Sequence, residues 1–261
     1  MKTVHKSITF LAFFLLLTLL APLPVWAVPV DLELLLAADV SGSINSSEFN
    51  LQKQGYVDAF NNASLVGAIQ SGAIGAIAAT LVYWSGGAQQ VQAVPWTFIN
   101  DVTTAGSFAS AIDATTRPFS GATGIGNALL FSRNLLAAYN GFEGTRLVID
   151  ISGDGVDNVG GAGGTSSGRN AALVVADTIN GLVIGSDPAV LSFYHNFVIG
   201  GTNPFVDQVS NFADFGATID NKIIREVTGG GAPIPEPGTV LLLGSGLVGM
   251  GGAARRRNRR K

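Results

Sequence analysis

Residues 32–38 form a short apolar run that stops at Asp39, and this feature constrains the fold more than any other. A run of that length, closed by a carboxylate and followed by Val40-Ser41-Gly42-Ser43, reads as a buried strand that delivers oxygen ligands to its carboxyl end. In extended backbone, alternate residues point the same way, so Asp39, Ser41 and Ser43 can bring one carboxylate and two hydroxyls to one point. An all-oxygen set suits a hard divalent cation, Mg2+ or Mn2+, over metals that prefer thiolate or imidazole. An Asx-turn uses the same residue types, and both readings stand at this point.

Further along, apolar runs alternate with helical patterns. Strands are expected at residues 74–84, 90–96, 147–151 and 182–184, the first two joined as a hairpin through Ser85-Gly86-Gly87. Helices are expected at 47–61 (with Ser46 or Ser47 as N-cap), 107–114, 125–139, 167–179 and 211–227. This alternation predicts an α/β fold, a doubly wound and mostly parallel sheet with helices on both faces. Residues 28–228 are long enough for one domain with a sizeable core. No internal repeat is present. The chain has no cysteine, which excludes a disulfide framework, thiolate metal sites and cysteine nucleophiles.

The two ends have a different character. Lys2 and Lys6, the apolar stretch over 8–20 and Val25-Trp26-Ala27 make residues 1–27 a signal peptide with cleavage expected after Ala27. At the other end, a Gly/Pro linker over 229–238 contains Pro235-Glu236-Pro237. It is followed by an apolar stretch over 239–254 and a basic end over 255–261. The stretch is short and rich in Gly for a membrane-spanning helix, so it would hold a membrane only weakly and transiently. The basic residues are expected to stay cytoplasmic. Motif, short helix and basic end in that order resemble the PEP-CTERM sorting signal of exopolysaccharide-producing Gram-negative bacteria. The resemblance implies export through the inner membrane, processing near Pro235-Glu236-Pro237 by an exosortase, and display at the cell surface or release outside the cell. Gly244, Gly246 and Gly249 fit a dinucleotide-binding spacing, but no βαβ unit follows them.

Removing the ends changes the charge. Two of the fifteen Lys and Arg residues lie in 1–27 and six in 255–261, so residues 28–230 carry seven against seventeen Asp and Glu, a net charge of −10. An acidic domain of this kind repels nucleic acid and anionic membrane and tolerates cations.

Two more loops are expected to reach the carboxyl ends of the strands, where ligands bind in open α/β sheets. Ser120-Gly121-Ala122-Thr123-Gly124 opens the helix at Ile125 and offers the Thr123 hydroxyl. Ser152-Gly153-Asp154-Gly155 ends the 147–151 strand and offers a second carboxylate, Asp154. Asp39-x-Ser41-x-Ser43, then Thr123, then Asp154 resemble the metal-ion-dependent adhesion site of von Willebrand factor A (VWA) domains over positions 30–228. Ile179-Asn180-Gly181-Leu182, Phe193-Tyr194 and Val198-Ile199-Gly200-Gly201 are similar to a bacterial VWA-like family of unknown function. The resemblance implies direct coordination of the metal by Ser41, Ser43 and Thr123. Asp39 and Asp154 would bind it directly or through water. Where many members carry Thr-Asp-Gly, this chain has Gly153-Asp154-Gly155.

Competing motifs are weaker. Asp150-x-Ser152-x-Asp154-Gly155 begins like an EF-hand loop, but its twelfth position is Gly161 and a strand precedes it. A serine hydrolase needs a GxSxG elbow and a histidine; beyond residue 27 the only histidine is His195, read as partly buried. Asp157 and Asn158 either tune the site or are solvated. Asn45-Ser46-Ser47 and Asn62-Ala63-Ser64 match a glycosylation sequon without the context that would use it.

The expectation is a non-enzymatic, exported binding protein that presents a divalent cation to a carboxylate-bearing partner, an extracellular protein or an acidic polysaccharide. The rival is a structural component of the biofilm matrix, in which the metal only stabilises the fold. For the termini, mass spectrometry of secreted material is expected to find an N-terminus at Val28 and no peptide from 255–261; persistence of those basic residues would refute the sorting expectation.

Overall fold

The computed structural model describes residues 26–229. Most of the expected signal peptide, nearly all of the Gly/Pro linker, the apolar stretch over 239–254 and the basic end lie outside the described residues. The chain enters through β1 (Val28–Val30), followed by β2 (Leu32–Asp39), which is buried along its whole length. Leu32, Leu34, Leu36 and Ala38 enter one core, and Leu35 and Ala37 enter the other, as a two-residue repeat dictates. A strand buried on both faces belongs in the middle of a sheet between two helix layers. Glu33 interrupts the apolar run; it is buried and accepts from Asn140 Nδ2 at 2.6 Å and the Gly144 amide at 2.8 Å.

After β2 come α1 (Ser46–Asn61) and α2 (Ala63–Gln70), then β3 (Ile77–Trp84), β4 (Gln90–Ile99) and α3 (Val102–Asp113). The second half comprises α4 (Ile125–Ala137), β5 (Phe142–Gly144), β6 (Leu147–Gly153), α5 (Gly161–Ala172), β7 (Thr178–Ile184) and α6 (Pro188–Phe193). It ends with β8 (Gly200–Gly201), β9 (Val206–Val209) and α7 (Phe215–Val227). The main sheet runs β4-β3-β2-β6-β7, with β8 and β9 sharing the outer edge of β7. Its pairs are parallel except β3–β4 and β7–β8. β1 and β5 form a separate parallel pair.

Phe49, Tyr56 and Phe60 of α1, Leu65 of α2, Phe108 of α3 and Ile219 of α7 cover one face. Ile125 and Leu129 of α4, Ala172 of α5 and Val190 of α6 cover the other. The doubly wound α/β expectation is therefore met. Since β3 lies to one side of β2 and β6 to the other, the chain reverses direction across the sheet between β2 and β6. The loops leaving those two strands flank the crevice that this reversal creates.

Several boundaries differ from the sequence reading. The α1 N-cap is Asn45, not Ser46 or Ser47. Its side chain accepts from the Ser47 and Glu48 amides at 2.8 and 3.1 Å, and the Glu48 carboxylate in turn accepts the Asn45 amide at 2.8 Å. The same reciprocal arrangement between Asp101 and Thr104 starts α3 at Val102, five residues before the expected start. The helix expected over 167–179 is α5, displaced toward the N-terminus. Residues 178–184 are strand, because Ile179 and Val183 fill one core while Leu182 and Ile184 fill the other. The short elements α2, α6, β1, β5, β8 and β9 were not expected. His195 is exposed, not partly buried, on a π-helical turn over Tyr194–Val198. Among the described residues, no helix is long and apolar enough to cross a membrane.

Helices α4 and α5 approach closely because glycines face each other. A Cβ on Gly126 would lie 2.5 Å from the Gly164 carbonyl oxygen, and one on Gly168 would collide with the Gly126 carbonyl oxygen. Gly168→Ala is expected to lower stability by about 1–3 kcal/mol through this overpacking. In urea unfolding, the midpoint should fall while the slope stays constant.

Candidate metal centre

Burial forces Asp39 into its role. It is the last residue of β2, with no solvent exposure. Its Oδ1 accepts the Ser41 amide at 2.7 Å, while Oδ2 is buried without a hydrogen-bond partner. Beyond it the loop turns so that the Ser41 and Ser43 hydroxyls lie 3.2 Å apart. Ser43 donates to Asp154 Oδ1 at 2.7 Å, and Thr123 Oγ1 lies 3.4 Å from Ser41 Oγ. All five candidate ligands therefore meet, from three separate loops. Ser41 and Thr123 are buried, Asp154 is half-buried and Ser43 is exposed, so the cluster opens to solvent on one side.

The loops are fixed by residues that the sequence reading missed or left undecided. Arg117 Nη2 donates to the carbonyls of Val40 and Ser41 at 3.0 and 2.6 Å, holding the first loop. Ser85, buried just after β3, accepts the Gly121 amide at 2.8 Å and donates to the Ala122 carbonyl at 3.0 Å. Asn158 clamps Thr123 from both sides: its Oδ1 accepts the Thr123 amide, and its own amide donates to the Thr123 carbonyl, each at 2.9 Å. Asp157 is not solvated. It is buried and accepts five hydrogen bonds, from the amides of Gly126, Val159, Gly160 and Gly161 and from Thr165 Oγ1. It thereby joins the starts of α4 and α5. Asp150 is no part of this cluster; it lies buried within β6.

Gly153 marks a second crowded point. A Cβ there would lie 2.9 Å from Asp39 Oδ2 and 2.7 Å from the Tyr194 hydroxyl, which is also buried and unpartnered. Burial pushes the Tyr194 hydroxyl well above its ordinary value, and the charge of Asp39 adds to this. Burial likewise pushes the Asp39 carboxyl up to about 7, with the Ser41 hydrogen bonds opposing it. Asp154 is also raised, again by burial, against the hydrogen bond from Ser43.

These residues fit a hard cation. The donors are all oxygen, most are neutral hydroxyls, and one carboxylate oxygen is buried without a partner. A metal would be held by Asp39, Ser41, Ser43, Thr123 and Asp154. Among the described residues, no group of three or more His, Cys, Asp or Glu converges on one point, so a thiolate- or imidazole-rich site has no counterpart.

Comparison with known proteins agrees with the fold. A family described as "Protein of unknown function (DUF1194)" matches residues 29–231. The chain belongs to this family. A PEP-CTERM protein-sorting motif matches residues 233–258 of this DUF1194 protein, and it indicates export. No curated protein matches it. Among solved structures, proximal thread matrix protein 1 from the mussel byssus is similar at 17% identity and a TM-score of 0.57, over 77% of this chain and 49% of that one. A von Willebrand factor type A protein from Catenulispora acidiphila is similar at 12% identity and TM-score 0.55, over 77% and 43%. The pilus adhesin SpaC from Lactobacillus rhamnosus GG follows at 14% and 0.53, over 77% and 31%. The DUF1194 chain thus spans about half or less of the length of these structures. They establish that its fold is VWA-like.

The raised Asp39 carboxyl has a consequence for metal-free protein. Its folded value exceeds the ordinary 3.8, so the folded chain keeps a proton that the unfolded chain has released. Stability therefore falls as pH rises from about 4 to about 7 and stays lowered above that. In chelator at pH 8, Asp39→Asn is expected to be more stable than the parent by about 2–4 kcal/mol. That gain should vanish at pH 4; equal stability at both pH values would contradict the burial.

Proposed function

We propose that the DUF1194 protein is a non-enzymatic, exported binding protein of a Gram-negative cell surface or extracellular matrix, and that it uses a divalent cation to recognise a carboxylate-bearing partner. The observation that carries this reading is the buried, unpartnered Oδ2 of Asp39 amid three hydroxyls and a second carboxylate. Mg2+ or Mn2+ suits that donor set. A cation held mostly by neutral hydroxyls keeps much of its positive charge and accepts one more oxygen ligand, a partner's carboxylate. The chain's part is to hold Ser41, Ser43 and Thr123 convergent and to leave the Ser43 side open. We take it to bind without turnover: the two carboxylates of the cluster, Asp39 and Asp154, are assigned to the cation, and His195 is exposed on the turn after α6.

Support from outside the chain is of two kinds. One byssal structure, at 18% identity and TM-score 0.56, carries a zinc-occupied MIDAS motif, and another neighbour is a pilus adhesin. The sorting motif favours a route through the inner membrane with exosortase processing, after a signal peptide over 1–27. In this route the apolar stretch over 239–254 and the basic end over 255–261 contact the membrane only in transit. The partner is an extracellular protein or an acidic polysaccharide, not nucleic acid, given the acidic domain. A matrix role with purely structural metal is the second reading. A cation beside Asp39 would relieve its buried charge whether or not a partner arrives.

The two readings separate in one experiment. Retention of an extracellular fraction by the purified protein should require Mg2+, Mn2+ or Zn2+ and be lost in EDTA. It should drop at least tenfold in Asp39→Ala, while circular dichroism shows the fold intact. Normal retention by Asp39→Ala would exclude metal-dependent recognition and leave the matrix reading.

A further inference from the structure

Away from the candidate metal centre, a second group of ionisable residues lies wholly inside the domain. Lys222 Nζ of α7 is 2.5 Å from Asp150 Oδ1 of β6 and 2.6 Å from Glu226 Oε1, one helical turn further along α7. None of the three side chains has any solvent exposure. The Phe205 ring stands 5.1 Å from Nζ, and Asn180 Nδ2 donates to Glu226 Oε1 at 3.1 Å. Neither oxygen of Asp150 has a hydrogen-bond partner, and the approach of Nζ to Oδ1 lacks hydrogen-bond geometry. Glu226 Oε2 is also unpartnered.

An ion cluster of this kind is a poor way to hold a helix. Burying charge costs more than the pairing returns unless the remaining lone pairs are satisfied, and here three carboxylate oxygens are not. Two carboxylates also face a single ammonium, so one carboxyl keeps its proton near neutral pH. Burial pushes Glu226 up to about 7, helped by the charge of Asp150, and it pushes Asp150 up as well. Burial pulls the Lys222 ammonium down, but the two carboxylates outweigh it and hold it up. One short proton transfer from Lys222 to Asp150 gives a neutral amine beside a neutral carboxylic acid, the pair that can condense.

We propose that Lys222 and Asp150 condense to an intramolecular amide, with Glu226 relaying the proton. The Nζ lone pair forms a bond to Asp150 Cγ, and the Cγ–OH bond breaks. Glu226 takes a proton from the amine and passes it to the departing hydroxyl, which leaves as water. Nothing is oxidised or reduced, and no co-reactant is needed. Nζ is held against the carboxyl group it would attack, 2.5 Å from Oδ1, so little is left to bring the reactants together. The product replaces two buried charges with one neutral amide.

The bond would do for this chain what its missing cysteines cannot. It staples α7 to a strand in the middle of the sheet and closes the chain between residues 150 and 222, constraining the unfolded state as any covalent cross-link does. It also lies just before the sorting motif over 233–258. Tension applied through the C-terminal end would pass into β6 instead of peeling α7 from the sheet. This inference stands independently of the metal reading.

The test is mass spectrometry of the exported protein. The expected intact mass is below the sequence mass of the mature chain by one water. Trypsin should yield a branched peptide joining residues 147–169 to residues 170–225, because modified Lys222 resists cleavage. Glu226→Gln and Lys222→Arg should restore the full mass and the linear peptides. Full mass for the parent protein, with a linear peptide ending at Lys222, overturns the cross-link. Loss of water persisting in Glu226→Gln overturns the relay.

Discussion

The top of this domain depends on a carboxylate that the fold has stripped of water. β2 is flanked by parallel strands and covered by helices on both faces, so Asp39 at its end has nowhere to be solvated. One oxygen is satisfied by the turn that follows, and the other is not. A buried carboxylate in that condition must take a proton, find a donor or hold a cation. The surrounding hydroxyls are each already engaged with a neighbour, and the proposed cation site takes the third outcome.

The scaffold that sets this up is largely backbone chemistry. The reversal between β2 and β6 brings two loops together, and Ser85 beyond β3 together with Arg117 brings in the third. Asp157 and Asn158 do less visible work on the far side, fixing where α4 and α5 begin and therefore where Thr123 stands. The same strand, β6, carries Asp150 in its middle and leads into Asp154 just past its end. The proposed covalent staple and the proposed cation site therefore act on one element, one against α7 and the other at the strand's exit.

Much of this was readable in the chain. The apolar run before Asp39, the hydroxyl spacing after it and the Asp-Gly turn after 147–151 are local signals, and all five candidate ligands converge as expected. Burial on both faces at Ile179 and Leu182 is a tertiary fact, and a run of small and branched residues before it read equally well as helix. Asn45 as N-cap was present in the sequence through Glu48 three residues on, yet the adjacent serines obscured it. Arg117, Ser85 and Tyr194 carry no local pattern at all. Their roles appear only when loops far apart in sequence are folded together, as does the meeting of Lys222 with Asp150.

The most direct test of the central claim is a crystal structure of the protein soaked in Mn2+, with anomalous scattering recorded near the manganese edge. A peak bounded by Asp39, Ser41, Ser43, Thr123 and Asp154, with the exposed Ser43 side left to solvent or a lattice carboxylate, is the predicted result. An ordered cluster with no anomalous peak there, its hydroxyls still bonded only to one another, would contradict it.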